Sequence, residues 1–303
     1  MDTLKKVLQV LVWGFFGLIG LGMVMGIFGI VMLLTGNMDQ EDFADVKTDR
    51  AVGVVDISGE IVSSDEFYRE LKRHVDSDKI KGIVVRIDSP GGAVGASEEI
   101  YRFLKNAQKS KPIVCAMGSI AASGGFLASL GCQKTYANPG TLTGSIVVIL
   151  AVPNFAKIME RFEVKMNVIK SGKLKDAGSP FREMTADDRS FLQSVIDVAY
   201  NDFLNLVATS RGLETEKVRE FADGRIISGS QAIELGIVDE AGGLEEAAAT
   251  VLEIAGIQGE PEIILPEKKS GVRAFLDGVN HLVLGLADRT TGSAPVLMYR
   301  LAP

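Results

Sequence analysis

The stretch Cys115–Ile149, CAMGSIAASGGFLASLGCQKTYANPGTLTGSIVVI, constrains this chain more than any other. It opens as part of an apolar strand, Pro112–Met117, that breaks at Gly118. Ser119 and Ser123 then stand among small residues, and the pattern turns helical from about Ser123. A strand-to-helix corner made of Gly, Ala and Ser lets backbone and hydroxyl approach a ligand closely, with the first helical amides pointing outward beside that hydroxyl. Such a corner suits a nucleophile. It equally suits tight packing of helix on strand, and this stretch by itself does not separate the two.

Strands and helices alternate around the corner. Ala51–Ile57 and Ile80–Ile87 read as buried strands, the second ending in Asp88-Ser89-Pro90-Gly91-Gly92. Helical spacing runs from Ser63 to about Val75 and from about Val94 to Asn106. Further strands are expected at Thr135–Ala137, Ser145–Leu150 and Val164–Lys170, with a helix at Asn154–Phe162 between the last two. A long amphipathic helix, about Ala186–Arg211, has Thr185 as its N-cap and Gly212 as its stop. Helices at Glu216–Ala222, Gly229–Leu235 and Leu244–Ala255 and strands at Ile237–Asp239 and Glu262–Leu265 complete the pattern. Alternation of this kind implies parallel pairing through right-handed crossovers, hence an α/β core covered on both faces.

Ahead of this core, Val7–Leu34 carries no charged residue and exceeds the roughly 20 residues needed to cross a bilayer. It is longer than the apolar core of a cleavable signal peptide, about 7–15 residues, so an uncleaved signal anchor is expected. Lys5 and Lys6 precede the run and Asp39, Glu41, Asp42 and Asp45 come after it. The positive-inside rule then keeps the N-terminus in the cytoplasm and sends the rest across, as a single-pass protein. The expected organisation is residues 1–36 as N-terminus and anchor, 37–50 as linker, 51–257 as one compact domain and 258–303 as an extension that docks at a subunit interface. A net charge of -7 argues against nucleic acid as a partner. Cys115, in an apolar strand, and Cys132 are expected to be free thiols.

A serine nucleophile needs a group that takes its proton. Histidine is the commonest, but the chain has 2. His74 ends a helix and His281 lies in the tail, and both are expected at the surface. Lysine is the other option, provided burial or nearby positive charge lowers its pKa from about 10.4 toward 7 or 8. Val168–Pro180 supplies Lys170, Lys173 and Lys175 as it leaves a strand for a Gly/Ser loop. A lysine-rich loop that is merely solvated fits the same residues.

Four motifs in order, Asp88-Ser89-Pro90-Gly91-Gly92, Gly118-Ser119-Ile120-Ala121-Ala122-Ser123-Gly124-Gly125, Leu142-Thr143-Gly144-Ser145-Ile146 and Ser171-Gly172-Lys173-Leu174-Lys175-Asp176, resemble the signature of the signal peptide peptidase A (SppA) family, peptidase family S49. The resemblance is to the short, single-domain, membrane-anchored form and spans about Ala51–Ala255. It implies a ClpP/crotonase-like fold, no cofactor or metal, and a ring-like homo-oligomer enclosing the sites. It also implies a Ser-Lys dyad that degrades remnant signal peptides and other apolar peptides at the outer side of a bacterial cytoplasmic membrane. On this resemblance Ser123 is the nucleophile and Lys175 the general base, with Lys173 its local competitor. Gly91, Gly92 and Gly124 offer amides to an oxyanion, and Ser145 orients the lysine. Phe126-Leu127, where the family often has an aromatic pair, and Val147, where a glycine is frequent, depart from the pattern and bear on the pocket. A ClpP-like Ser-His-Asp peptidase, a crotonase-type acyl-CoA enzyme and an inactive membrane scaffold of the same fold are the rival readings.

Overall fold

Ala51–Ser58 (β1) and Ile80–Ser89 (β2) are almost continuously buried, as parallel strands covered on both faces must be. The computed structural model describes residues 46–266 and 298–300, with Gly22, Met23, Gly26 and Phe43 besides. Most of the Val7–Leu34 run and all of residues 267–297, His281 included, lie outside the described residues. No helix among the described residues is long and apolar enough to cross a membrane. Residues 1–47 and 48–303 form separate units, and the second holds the sheet and the helices packed on it.

After β1 and β2, joined by helix α1 (Asp65–Asp76), the chain makes the short strand β3 (Gly91–Ala93) and helix α2 (Val94–Ala107). Strand β4 (Ile113–Ala122), helix α3 (Gly124–Ser129), and strands β5 (Lys134–Ala137) and β6 (Leu142–Gly144) come next. Helices α4 (Ala156–Arg161), α5 (Ala186–Arg211) and α6 (Thr215–Arg219) lead to strand β7 (Ile226–Ser228), helix α7 (Gly229–Glu234) and strand β8 (Glu240–Ala241). Helix α8 (Leu244–Ile254), strand β9 (Glu262–Ile264) and strand β10 (Met298–Arg300) complete the described elements.

The main sheet runs β7-β6-β4-β2-β1-β9. All its pairings are parallel except β6 with β7. Strand β4 is shared along its length: Val114–Met117 pair with β5, and Ile120–Ala122 pair with β6. The sheet therefore forks just before Ser123. On one face α8 packs Ala247, Ala248, Val251 and Leu252 onto Val52, Val84 and Val114. Elsewhere in the core every residue of α3 is buried, and Phe126 meets Phe203 of α5 with ring centroids 6.4 Å apart.

Helix α5 has the bounds its pattern suggests. Thr185 and Asp188 form a capping box, and Gly212 ends the helix at φ 63. Its second half enters the core through Phe203, Leu204, Val207 and Ala208, whereas Val195 and Val198 of its first half are exposed.

Several expectations change. Residues 145–150 make only an isolated bridge at Ile149, and Leu142–Gly144 form the strand instead. Val164–Lys170 form no strand and are exposed throughout, because no strand among the described residues offers them backbone partners. The strand expected at Ile237–Asp239 forms one step later, at Glu240–Ala241. His74 is buried rather than exposed, its ring lying over Gly53, where a Cβ would overlap it. Cys115 and Cys132 are joined in a disulfide rather than free, since the turn after α3 returns to β4 and brings their Cα atoms to 5.7 Å.

Thr185→Ala removes the acceptor for the Asp188 amide and should cost about 1 kcal/mol of stability. Denaturant unfolding of the two proteins, compared at equal slope, measures it.

Candidate active site

Three loops converge at the carboxyl ends of the parallel strands. They leave β2, β4 and β6, and they carry the motifs singled out in the sequence. Their approach depends on Asp88. Pairing of β2 with β4 shifts register between Ile87 and Ser89, and the Asp88 carboxylate fills the irregularity by accepting from the amides of Ser119 (3.1 Å) and Ile120 (3.2 Å). Gly118 faces that carboxylate so closely that a Cβ there would overlap it. Asp88 has no expected role in the sequence pattern, where an acid directly before Ser-Pro-Gly-Gly is the available signal.

Ser123 stands between β4 and α3 at φ 53, ψ -113. A non-glycine residue in this region is strained by of order 1–3 kcal/mol and persists only where its surroundings fix it. Here its amide donates to the Gly144 carbonyl at 2.8 Å, and its own carbonyl accepts from the Leu127 amide at 2.8 Å. The side-chain Oγ is buried and has no hydrogen-bond partner among the described residues. A buried hydroxyl without a partner is costly to keep, and a strained strand-to-helix corner is a geometry that can present such a hydroxyl for chemistry. Ser145 comes directly after Gly144, is buried, and repeats the φ of 53.

Gly91 and Gly92 come up beside Gly124. A Cβ built on Gly124 would lie 3.2 Å from the Gly92 nitrogen and 3.3 Å from the Gly91 Cα, so these glycines allow the close approach. The Gly91 amide donates to Ser89 Oγ at 3.1 Å. Ile61 donates to the Gly91 carbonyl and accepts from the Ala93 amide. By strand alternation, the amide of Gly92 therefore faces the opposite edge. That edge is taken by β10, which runs antiparallel with Tyr299 opposite Gly92. Met298 also exchanges both backbone hydrogen bonds with Ile149, at 3.0 and 3.1 Å. The end of the expected C-terminal extension thus lies as a strand between β3 and Ile149 of its own chain.

The lysine loop is organised differently. Lys170 pairs with Asp176 and Lys173 with Asp187, and the carboxylate holds the Lys173 ammonium above its ordinary pKa. Lys175 is exposed, and its amine has no hydrogen bond or ion pair among the described residues. The structure brings Ser123, Ser145, Gly91, Gly92 and Gly124 together, but it leaves Ser123 Oγ without a lysine partner. His74 is not part of the cluster. It sits over Gly53, level with Ile113 at the start of β4, and ten residues of strand separate that level from Ser123, about 30 Å at the usual rise.

The model of the Clp protease family matches residues 50–143, and that of peptidase family S49 matches residues 105–258. A Synechocystis protein whose name marks it as a candidate protease is 38% identical over 270 residues, covering 84% of this chain and 97% of that one. This chain belongs to peptidase family S49. It is a serine protease with a mixed α/β fold of the ClpP type. A candidate signal peptide peptidase SppA of Enterococcus faecium is 37% identical over 191 residues, 63% of this chain and 56% of its own length. The solved structure of a Listeria monocytogenes ClpP1 mutant aligns with TM-score 0.45 and 18% identity over 64% of this chain and 94% of that one.

Gly92→Ala places a Cβ against the Ile61 carbonyl and must displace the strand that lines this S49 site. Displacement by about 1 Å costs on the order of 100-fold in rate, so peptide hydrolysis should fall by that order while the fold, followed by circular dichroism, survives. Acid should loosen the lysine loop. The Arg182 guanidinium holds both the Asp176 and Asp188 carboxyls well below the usual carboxylate range. Their stabilisation is complete above about pH 4 and is lost as pH falls toward the folded values. Limited proteolysis between residues 165 and 185, followed as pH is lowered from 6 to 3, should rise (pH window roughly that of carboxylate titration).

Proposed function

We propose that this S49 serine protease works through a Ser-Lys dyad, Ser123 and Lys175, and degrades remnant signal peptides and other apolar peptides at the outer side of the membrane that anchors it. The observation that carries this reading is a complementary pair of unpartnered groups. Ser123 Oγ is buried and strained into place without a partner, and Lys175 is the one amine among Lys170, Lys173 and Lys175 not held by a carboxylate of the described residues.

In the mechanism, neutral Lys175 takes the Ser123 proton as Oγ attacks the peptide carbonyl. The amides of Gly92 and Gly124 hold the oxyanion, and their glycines leave no side chain in its way. Lys175 then protonates the leaving amine and later activates the water that releases the acyl-enzyme. Ser145, next to the Gly144 carbonyl that fixes Ser123, orients the amine. Substrate enters as a strand along Gly91–Ala93, in the slot where β10 now lies, which makes main-chain pairing the source of affinity.

A lysine serves as base only when uncharged, a state that burial favours, whereas Lys175 is exposed in the single chain. Assembly into a ring-like homo-oligomer supplies the cover. Its support is the apolar surface left open by one chain, where Ile158, Phe162, Val164, Met166, Val168 and Ile169 are all exposed. The uncharged run Val7–Leu34 and its flanking charges support a single-pass anchor with the catalytic domain outside, and the Cys115–Cys132 disulfide fits an oxidising compartment.

The test is hydrolysis of an apolar fluorogenic peptide by Ser123→Ala, Lys175→Ala and Lys173→Ala proteins in detergent. The first two should lose activity by at least about 1,000-fold while keeping wild-type oligomeric mass, and Lys173→Ala should keep most of it. Activity retained in Lys175→Ala and lost in Lys173→Ala would move the base two residues.

A further inference from the structure

Among the described residues no backbone hydrogen bond ties the lysine loop to the sheet. Within residues 171–179 its main-chain hydrogen bonds are local turns, from Lys175 to Gly172, Ala177 to Leu174 and Ser179 to Asp176, and only at its end does Pro180 accept from the Phe155 amide, at 2.7 Å. Gly178 alone in residues 171–180 is buried. Such a segment is held by its side chains. Two ion pairs reach α5: an exposed one, Lys173 with Asp187, and a more buried one through Arg182. It is the buried pair that fixes geometry, since exposed pairs are worth little. We infer that Arg182 is the positioning residue of this loop, clamping Asp176, the residue after Lys175, onto the fixed N-terminus of α5. The inference rests on the proposed role of Lys175 as base.

The clamp is two-sided. Toward the loop, Arg182 Nε donates to Asp176 Oδ2 at 3.0 Å and Nη2 to Oδ1 at 2.9 Å, a bidentate pair, and Nη2 also reaches the Asp176 carbonyl at 3.0 Å. Toward the helix, Nη1 and Nη2 donate to the two carboxylate oxygens of Asp188. Nη1 further donates to the Glu183 carbonyl at 3.1 Å. Asp188 is itself immobile: it is buried, accepts the Thr185 amide at 3.0 Å and completes the α5 capping box. Since the second half of α5 lies in the core, the chain of contacts runs from the packed interior through Asp188 and Arg182 to the residue beside the base.

The same clamp settles where charge goes. Asp176 is the carboxylate nearest to Lys175 in sequence, and left alone it would favour the ammonium, the wrong form for a base. Arg182 and Lys170 both occupy it, so two cations face the two carboxylates of Asp176 and Asp188 and Lys175 is left outside the balance. Only a planar guanidinium has the donors to grip both carboxylates at once, so lysine is a poor substitute.

Full-length Arg182→Lys and Arg182→Ala proteins in detergent, assayed on the apolar fluorogenic peptide beside wild type and Lys175→Ala, decide the matter. The expected result is a fall in kcat of at least about tenfold in both arginine variants, with KM within about twofold and with wild-type oligomeric mass and cooperative unfolding. Guanidinium ion at tens of millimolar should restore part of kcat in Arg182→Ala and none in Lys175→Ala. An Arg182→Ala enzyme with wild-type kcat, or one changed only in KM, overturns the inference. So does loss of assembly or of cooperative unfolding in Arg182→Lys, which would make the arginine a stability residue. A Lys175→Ala protein that remains active sinks the dyad reading itself, whereas an inactive Lys175→Ala beside a fully active Arg182→Ala sinks the clamp alone.

Discussion

The backbone of Ser123 is the constraint on which the site depends. At φ 53, ψ -113 it turns the chain from strand to helix within one residue, and no local preference favours that geometry in a serine. It holds because both sides are committed to other contacts. Upstream, β4 is hydrogen-bonded to β2 and β6. Downstream, α3 is six residues long and wholly buried, too short to form alone but locked by Phe126 against Phe203. The Gly144 carbonyl then takes the Ser123 amide, and the hydroxyl is left without a hydrogen-bond partner among the described residues.

The fork of the sheet arises from the same need. Were β4 paired with β5 along its whole length, the residues before Ser123 would have no room for β6, and Gly144 could not reach the Ser123 amide. The register shift beside Asp88 accompanies the change of partner, and the Asp88 carboxylate takes the Ser119 and Ile120 amides that the irregularity leaves unpaired with β2. The Asp-Ser-Pro-Gly-Gly motif thus carries distinct duties. Asp88 closes the irregularity, Ser89 takes the Gly91 amide, and Gly92 turns its own amide to the edge where a peptide strand lies.

Much of this was legible in the sequence, and the failures have a common cause. AVGVVDI and IKGIVVRI announce strands buried on both faces because a parallel sheet leaves them no polar side. Thr185 and Gly212 bracket α5 because capping is local chemistry. Pairing is not local. Val164–Lys170 alternates as a strand should, yet it has no strand partner among the described residues and stays exposed. Cys115 looks like any core thiol until the turn after α3 brings Cys132 to it. His74 looks like a helix-end surface residue until Gly53, bare of a side chain, proves to lie beneath it. In the candidate site, the strand-to-helix corner at Ser123 and its small residues could be read from composition and spacing. Arg182 could not, because the two carboxylates it joins mean nothing until the loop is folded against α5.

The two halves of the proposed dyad are built on opposite principles. The hydroxyl belongs to the most constrained corner of the core, so its position costs strain but does not depend on other copies of the chain. The amine belongs to an exposed loop held by an ionic clamp. Strengthening the core does not cover that amine, and fixing the loop alone does not desolvate it. On the proposed reading cover comes from other copies of the chain, and the exposed apolar residues that precede the loop, from Ile158 to Ile169, are the surface available to receive it. On the proposed reading, the chemistry therefore depends on assembly: an isolated chain holds a shaped hydroxyl and a placed but exposed amine, and the burial that removes that apolar surface from water is the same burial that favours an uncharged base.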